Sequence, residues 1–148
     1  MGKRISMYTD GSYHPNTGCG GYAAISPEAG IIVAGNDSGT TNNKMELSAV
    51  TRGLAQLADG SSVIIHTDSQ YVTNAFNKGW IRSWKRNNWK SHSGKPVKNQ
   101  EEWNDLLTQV ARHKRVMFRW VKGHNGNTLN EAVDDIANVA AKHLEKRK

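Results

Sequence analysis

The chain carries one short design twice. Ile5-Ser6-Met7-Tyr8-Thr9-Asp10-Gly11-Ser12 and Val63-Ile64-Ile65-His66-Thr67-Asp68-Ser69 both run through apolar and β-branched residues into Thr-Asp and then a small residue. The first alternates at a period of two and the second is β-branched and apolar, so each reads as a strand. Between them, from Asn43, the period changes: Leu47, Val50, Leu54 and Leu57 recur at three- and four-residue spacing until Asp59-Gly60. That is a helix of about four turns. Strand, helix and strand call for a crossover, which lays the second strand parallel to the first. Asp10 and Asp68 then fall together at the carboxyl ends of neighbouring strands, where open α/β sheets build their sites. Taken singly, Asp-Gly and Asp-Ser are ordinary turn starters. Their repetition is what constrains the fold.

The remaining chain supplies the other elements. A Gly-rich connection (Gly11, Gly18, Gly20, Gly21) leads to Tyr22–Ser26 and Ile31–Gly35, which flank the turn residues Pro27-Glu28-Ala29-Gly30. The first three strands are therefore expected as an antiparallel meander, and a parallel fourth strand, Ser62–Thr67, makes the sheet mixed. A helix over Gln70–Asn77 halts near Gly79; another, Gln100–His113, carries Trp103, Leu106, Leu107 and Val110 at helical spacing. Val116–Val121 reads as the last strand and Leu129–Lys146 as the last helix. With 148 residues, one domain spanning 1–148 can bury a core without cross-links. Cys19 has no partner for a disulfide, and no Cys/His cluster suggests zinc, so an intracellular, cytoplasmic protein is expected, with a monomer as the default. No stretch approaches the roughly 18 apolar residues of a membrane span, and no apolar leader follows the first charges, so no membrane partner is expected.

Four acidic positions stand out: Asp10, Glu46, Asp68 and Asp134. Glu46 is expected in the first turn of the first long helix, where a capping box with Asn43 is the ordinary alternative. Asp134 lies in the last helix, with Glu131 and Asp135 as competing choices. Carboxylates gathered from two strand ends and two helices offer hard oxygen ligands to Mg²⁺ or Mn²⁺. Without a cation such a cluster opposes folding, because like charges raise one another's pKa.

The formal net charge of +7 is unevenly spread. Residues 80–99 hold Arg82, Lys85, Arg86, Lys90, Lys95 and Lys98 with no acidic residue, interleaved with Trp80, Trp84 and Trp89. Cations for phosphates and aromatic bodies for sugars or bases form a nucleic-acid footprint. The plainer alternative is a solvated basic helix whose tryptophans, Trp84 foremost, pack inward.

Five blocks carry a family resemblance: Thr9-Asp10-Gly11-Ser12, Thr40-Thr41-Asn42-Asn43-Lys44-Met45-Glu46-Leu47, Thr67-Asp68-Ser69-Gln70-Tyr71, Val121-Lys122-Gly123-His124, and Asn130 through Asp134 to Ala137. In this order and spacing the chain resembles the type 1 ribonucleases H of the bacterial kind over nearly its whole length. The resemblance implies an α/β, ribonuclease H-like fold: a five-stranded mixed sheet with helices on both faces, residues 80–99 forming a basic protrusion. It implies an endonuclease that cuts the RNA strand of RNA/DNA hybrids, leaving 5′-phosphate and 3′-hydroxyl ends. Asp10, Glu46, Asp68 and Asp134 match the family's metal-binding carboxylates, expected to hold two Mg²⁺ ions roughly 3.5 to 4 Å apart, with Mn²⁺ as an alternative.

The same resemblance assigns the substrate contacts. His124 matches a histidine near the active site, suited to proton transfer or product release. Asn16, Asn42 and Gln70 match positions that read the RNA strand, since amides both donate to and accept from 2′-hydroxyls, and Asn43 is expected among the substrate-binding residues. Thr41 and Asn99 match positions that hold a DNA phosphate, and Trp80 one that lies against the DNA strand, with Lys85, Arg86 and Lys90 beside it. Two rivals stay open: a DNA nuclease or strand transferase of the same broad fold, and a non-catalytic nucleic-acid binding module.

Overall fold

A computed structural model describes residues 4–123 and 127–146. In chain order the elements are β1 (Arg4–His14), β2 (Cys19–Ser26), β3 (Ile31–Asp37), α1 (Asn42–Ala55), β4 (Ser62–Thr67), α2 (Gln70–Asn77), α3 (Trp80–Arg86), α4 (Gln100–Ala111), β5 (Arg115–Trp120) and α5 (Thr128–Lys146). The five strands form one sheet in the order β3-β2-β1-β4-β5. β1, β2 and β3 pair antiparallel, while β4 joins β1 and β5 joins β4 in parallel. The expected mixed α/β sheet is present, with β4 and α2 at their expected bounds.

Neighbouring residues of β2 face opposite ways, which shows how the sheet is covered. Ala24 packs with Met7, Leu47, Leu54 and Ile65 in the larger core beneath α1, α2 and α4. Ala23 and Ile25 pack with Val133 and Ala137 of α5. Period-two alternation in the strand thus feeds two cores, one on each side. Trp103 of α4 is fully buried in the larger core, and its indole N–H donates to the Tyr71 hydroxyl at 2.9 Å, so the largest core side chain leaves no orphaned donor.

Two expectations need correction. The Gly-rich stretch after Asp10 is not a loop: Gly11 pairs with Tyr22, Ser12 with Gly21 and Tyr13 with Gly20 as β1 and β2 run on to a short turn after His14. Asp10 accordingly lies within β1 and not at its end. What ends near it is the parallel pairing, whose last rung is Tyr8 with His66. Glycine in a strand also marks close approach of another backbone, and here it does so on both faces. A Cβ on Gly11 would stand 2.6 Å from the Glu46 nitrogen of α1, and one on Gly21 would stand 2.1 Å from the Ala137 oxygen of α5. The second correction concerns α1. Its cap is Thr41, whose Oγ1 accepts from the Lys44 N–H at 3.2 Å. Asn43 is already helical, and Glu46 therefore opens the second turn instead of closing a capping box.

Residues 80–99 divide into α3 and an irregular return. Asn88 and Trp89 adopt positive φ (55° and 60°), and Lys90 bridges to Pro96. Trp84 meets Trp103 edge-on at 5.3 Å, Trp89 lies 5.8 Å from Trp84, and both pack against the larger core. Trp80 stays 37% exposed. Arg82, Lys85, Arg86, Lys90, Lys95 and Lys98 all face solvent. The inward packing of the plainer alternative holds for Trp84 and Trp89, which anchor the segment from within, while its cations and Trp80 point out.

Candidate active site

Four elements converge on one cleft of about 450 Å³, lined by Asp10 of β1, Glu46 of α1, Asp68 after β4 and Asp134 of α5. Carboxylate oxygens of Asp10, Glu46 and Asp68 lie within 4.8 Å of one another. Asp134 lines the same cleft and lies close enough to Asp10 to act on its carboxyl. The competing choices Glu131 and Asp135 are exposed, whereas Asp134 is half-buried.

Each carboxylate has a local reason for its place. Asp10 is fixed by two-sided strand packing, and the Gly11 N–H donates to its Oδ1 at 2.9 Å. Glu46 comes near because Gly11 lets the α1 backbone rest on the strand. Asp68 sits in a tightly bonded corner: the Ser69 N–H donates to Thr67 Oγ1 at 3.0 Å, Ser69 Oγ caps α2 through the Val72 N–H at 3.2 Å, and the Trp120 indole donates to the Asp68 carbonyl at 3.1 Å. Gly123 lies against the same side chain, since a Cβ there would stand 2.9 Å from Asp68 Oδ2.

The electrostatics follow from this crowding. Burial, then the charge of Glu46, a hydrogen bond that protonated Asp10 donates to Asp134, and the charges of Asp68 and Asp134 push Asp10 from 3.8 up to about 10. Burial, followed by the charges of Asp68 and Asp134, also holds Glu46 well above its ordinary value, against an opposing backbone N–H from Gly11. Glu46 Oε1 is buried and has no hydrogen-bond partner. A buried acceptor without a donor and a carboxylate set that must take up protons to coexist both fit a divalent cation. The donors are all hard oxygens, the ligands Mg²⁺ and Mn²⁺ prefer.

The remaining sequence candidates separate. Asn42, Asn43 and Gln70 line the cleft. Thr41 caps α1, and Asn99 Nδ2 donates to the Tyr71 hydroxyl at 3.1 Å. Asn16 is exposed in the turn after β1, while Trp80, Lys85, Arg86 and Lys90 belong to the α3 segment, beyond the cleft lining. His124 lies outside the described residues. Sequence reasoning missed Trp120, which lines the cleft, is 45% exposed and pairs in register with Thr67. The signal that could have found it was its position at the carboxyl end of a parallel strand, the same signal that picked out Asp68.

A carboxylate cluster on a mixed five-stranded sheet, in a chain that also carries a segment of outward cations, fits a class: divalent-cation-dependent enzymes acting on nucleic acid. Comparison with known proteins narrows it. The chain belongs to the RNase H family, whose profile matches residues 2–142. It is 49% identical over 137 residues to a ribonuclease H of Oleidesulfovibrio alaskensis, covering 91% of this chain and 88% of that protein. It is 46% identical over 145 residues to a ribonuclease HI of Neisseria meningitidis serogroup B, covering 95% and 97%. A ribonuclease H of Marinobacter nauticus is 42% identical over 146 residues, covering 97% and 98%.

Proposed function

We propose that this chain is an endoribonuclease that hydrolyses the RNA strand of RNA/DNA hybrids, with Asp10, Glu46, Asp68 and Asp134 holding two Mg²⁺ ions and Mn²⁺ able to replace them. The observation that carries the reading is the meeting of three carboxylates, from β1, α1 and the end of β4, within 4.8 Å, with a fourth lining the same cleft. When bound, such ions lower the pKa of an attacking water and stabilise charge on the leaving 3′-oxygen, consistent with 5′-phosphate and 3′-hydroxyl products. Asp10 is suited to serve both ions, because Glu46, Asp68 and Asp134 all act on it.

The chain's own groups supply recognition. Asn42, Asn43 and Gln70 present amides along the cleft, able to donate to and accept from 2′-hydroxyls; Asn16, in the β1–β2 turn, adds to this set. The Thr41 hydroxyl accepts from Lys44 and keeps its own hydrogen to donate, and Asn99 keeps a second amide hydrogen. Both can serve a DNA phosphate. His124 is assigned to proton transfer or product release. The protein works as a monomer of one catalytic domain in the cytoplasm; among the described residues no helix is long and apolar enough to cross a membrane.

The deciding experiment offers labelled RNA/DNA hybrid, duplex DNA and duplex RNA to the protein with Mg²⁺ or EDTA. Metal-dependent cutting confined to the hybrid's RNA strand is expected; cutting of duplex DNA would favour the DNA nuclease instead. The exposed cations of the α3 segment give a second test. Replacing Lys85, Arg86 and Lys90 together by Gln should weaken hybrid binding and lower the log-log salt slope by ~0.9 for each phosphate no longer neutralised. An unchanged slope would remove this segment from the interface.

A further inference from the structure

A hydrogen-bonded strip leads away from the carboxylates along the seam between β1 and α5. Asp10, Ser12 and His14 alternate onto one face of β1, while Asp134, Asn138 and Glu145 follow one side of α5. Beyond Asp10 and Asp134, which line the same cleft, Ser12 Oγ donates to Asn138 Oδ1 at 3.1 Å. His14 Nε2 lies 2.8 Å from the same Oδ1, and His14 Nδ1 lies 2.9 Å from Glu145 Oε1. Thr17 Oγ1 closes the strip by donating to Glu145 Oε2 at 2.5 Å. Both atoms facing the imidazole are acceptors, so both ring nitrogens must carry hydrogen, and a neutral ring can make only one of the two bonds.

We propose that His14, as an imidazolium clamped between Asn138 and Glu145, is a positioning residue that fastens α5 to β1 and holds Asp134 against Asp10, so that the site is tighter when His14 is charged than when it is neutral. The lever is short, because Asn138 is one helical turn beyond Asp134 on the same side of α5. An isolated surface pair is worth little. Here His14 and Glu145 are only 24% and 22% exposed, and the β1–β2 hairpin and α5 share one continuous strip. The hydrogen bonds to Asn138 and then Glu145 raise the His14 pKa, against burial and the charge of Lys142. Glu145 is lowered by its bonds to Thr17 and then His14. The charged groups bearing on the imidazole from α5 are Glu145 and Lys142, and its neighbour across the hairpin is the buried Cys19. Because the folded value is raised, the latch contributes fully below the ordinary histidine value of 6.5 and is lost as pH rises through the folded one.

The effect on metal binding rests on the reading of Asp134 as a ligand; the latch itself does not. Amide hydrogen exchange of the metal-free full chain at about pH 5.5 and about pH 8.5, on either side of the histidine range, tests it, using His14→Gln and Glu145→Gln beside the wild type. Relative to α1, wild-type α5 should lose about tenfold in protection factor between the two pH values. Both variants should start from the lower protection and show no such pH dependence. Mn²⁺ affinity by calorimetry should favour wild type over His14→Gln several-fold at the lower pH and converge at the higher. Lys142→Ala should move the midpoint of the exchange change upward in pH. Equal pH trends in wild type and His14→Gln would overturn the latch. Asp134→Asn separates the two readings: if it binds Mn²⁺ like wild type, Asp134 is no ligand, while the exchange data still decide the latch.

Discussion

Asp10→Asn is expected to abolish hybrid cleavage and, in the same protein, to raise the melting temperature measured without metal. On the proposed assignment, loss of a ligand to both ions removes several kcal/mol of transition-state stabilisation, a fall in rate of about a thousandfold or more. The gain in stability has a separate origin. Asp10 is held at about 10 in the folded chain against an ordinary 3.8, so the folded state keeps a proton that the unfolded chain releases. Stability therefore falls as pH rises between these two values, and at neutral pH the aspartate opposes folding. An asparagine has no charge to neutralise and can donate to the neighbouring carboxylates. A gain on the order of 2 kcal/mol is expected, or roughly 4–8 °C for a chain of this size. Saturating Mg²⁺ should stabilise the wild type and leave the variant little changed. Near-normal cleavage by Asp10→Asn, or a lower melting temperature without metal, would contradict the assignment.

Gly11→Ala should lose activity and stability together. The added Cβ would meet the α1 backbone at 2.6 Å from the Glu46 nitrogen and 2.7 Å from the Met45 carbonyl carbon. No side chain can swing aside to relieve those contacts, so α1 must move off the strand. Overpacking of this kind costs about 1–3 kcal/mol. The displacement carries Glu46 with it, and a shift of about 1 Å at a reacting centre costs on the order of a hundredfold in rate. Gly30→Ala is the control: its φ of 67° strains an alanine, yet nothing lies within 4 Å of the new Cβ. It should cost about 1 kcal/mol and leave turnover unchanged. Melting curves and single-turnover cleavage on the wild type and both variants decide the matter. If Gly11→Ala matches Gly30→Ala in rate, the glycine does not position Glu46.

The residues that were legible in sequence obey local rules. The 3.6-residue period of α1 and α5 and the β-branched run of β4 follow from which face of each element is apolar, so those elements and the parallel placement of β4 could be read directly. The paired Thr-Asp motifs located half of the carboxylate cluster for the same reason. What could not be read depends on contacts between elements. Gly11, Gly20 and Gly21 look like a loop because glycine is poor in isolated strands, and only the helices resting on them explain their place in β1 and β2. Asn43 is as good a cap as Thr41 by composition, and the choice is made by where the chain leaves β3 and turns. Trp84 and Trp89 could have faced nucleic acid or the core until Trp103 of α4 supplied the surface on which Trp84 packs, with Trp89 against Trp84. Asn138 and Glu145 carry no motif at all; they gain meaning only from the strand that lies beside them.

The four carboxylates come from β1, α1, the end of β4 and α5, and this spacing along the chain has a consequence in time. While the protein is being synthesised, Asp10, Glu46 and Asp68 can be gathered once β4 has paired with β1, but Asp134 arrives with the last helix. The strip that ends at Glu145 closes later still. A nascent chain in which α5 has not yet emerged therefore lacks one of the four carboxylates, and competence to cut should appear only after α5 has docked.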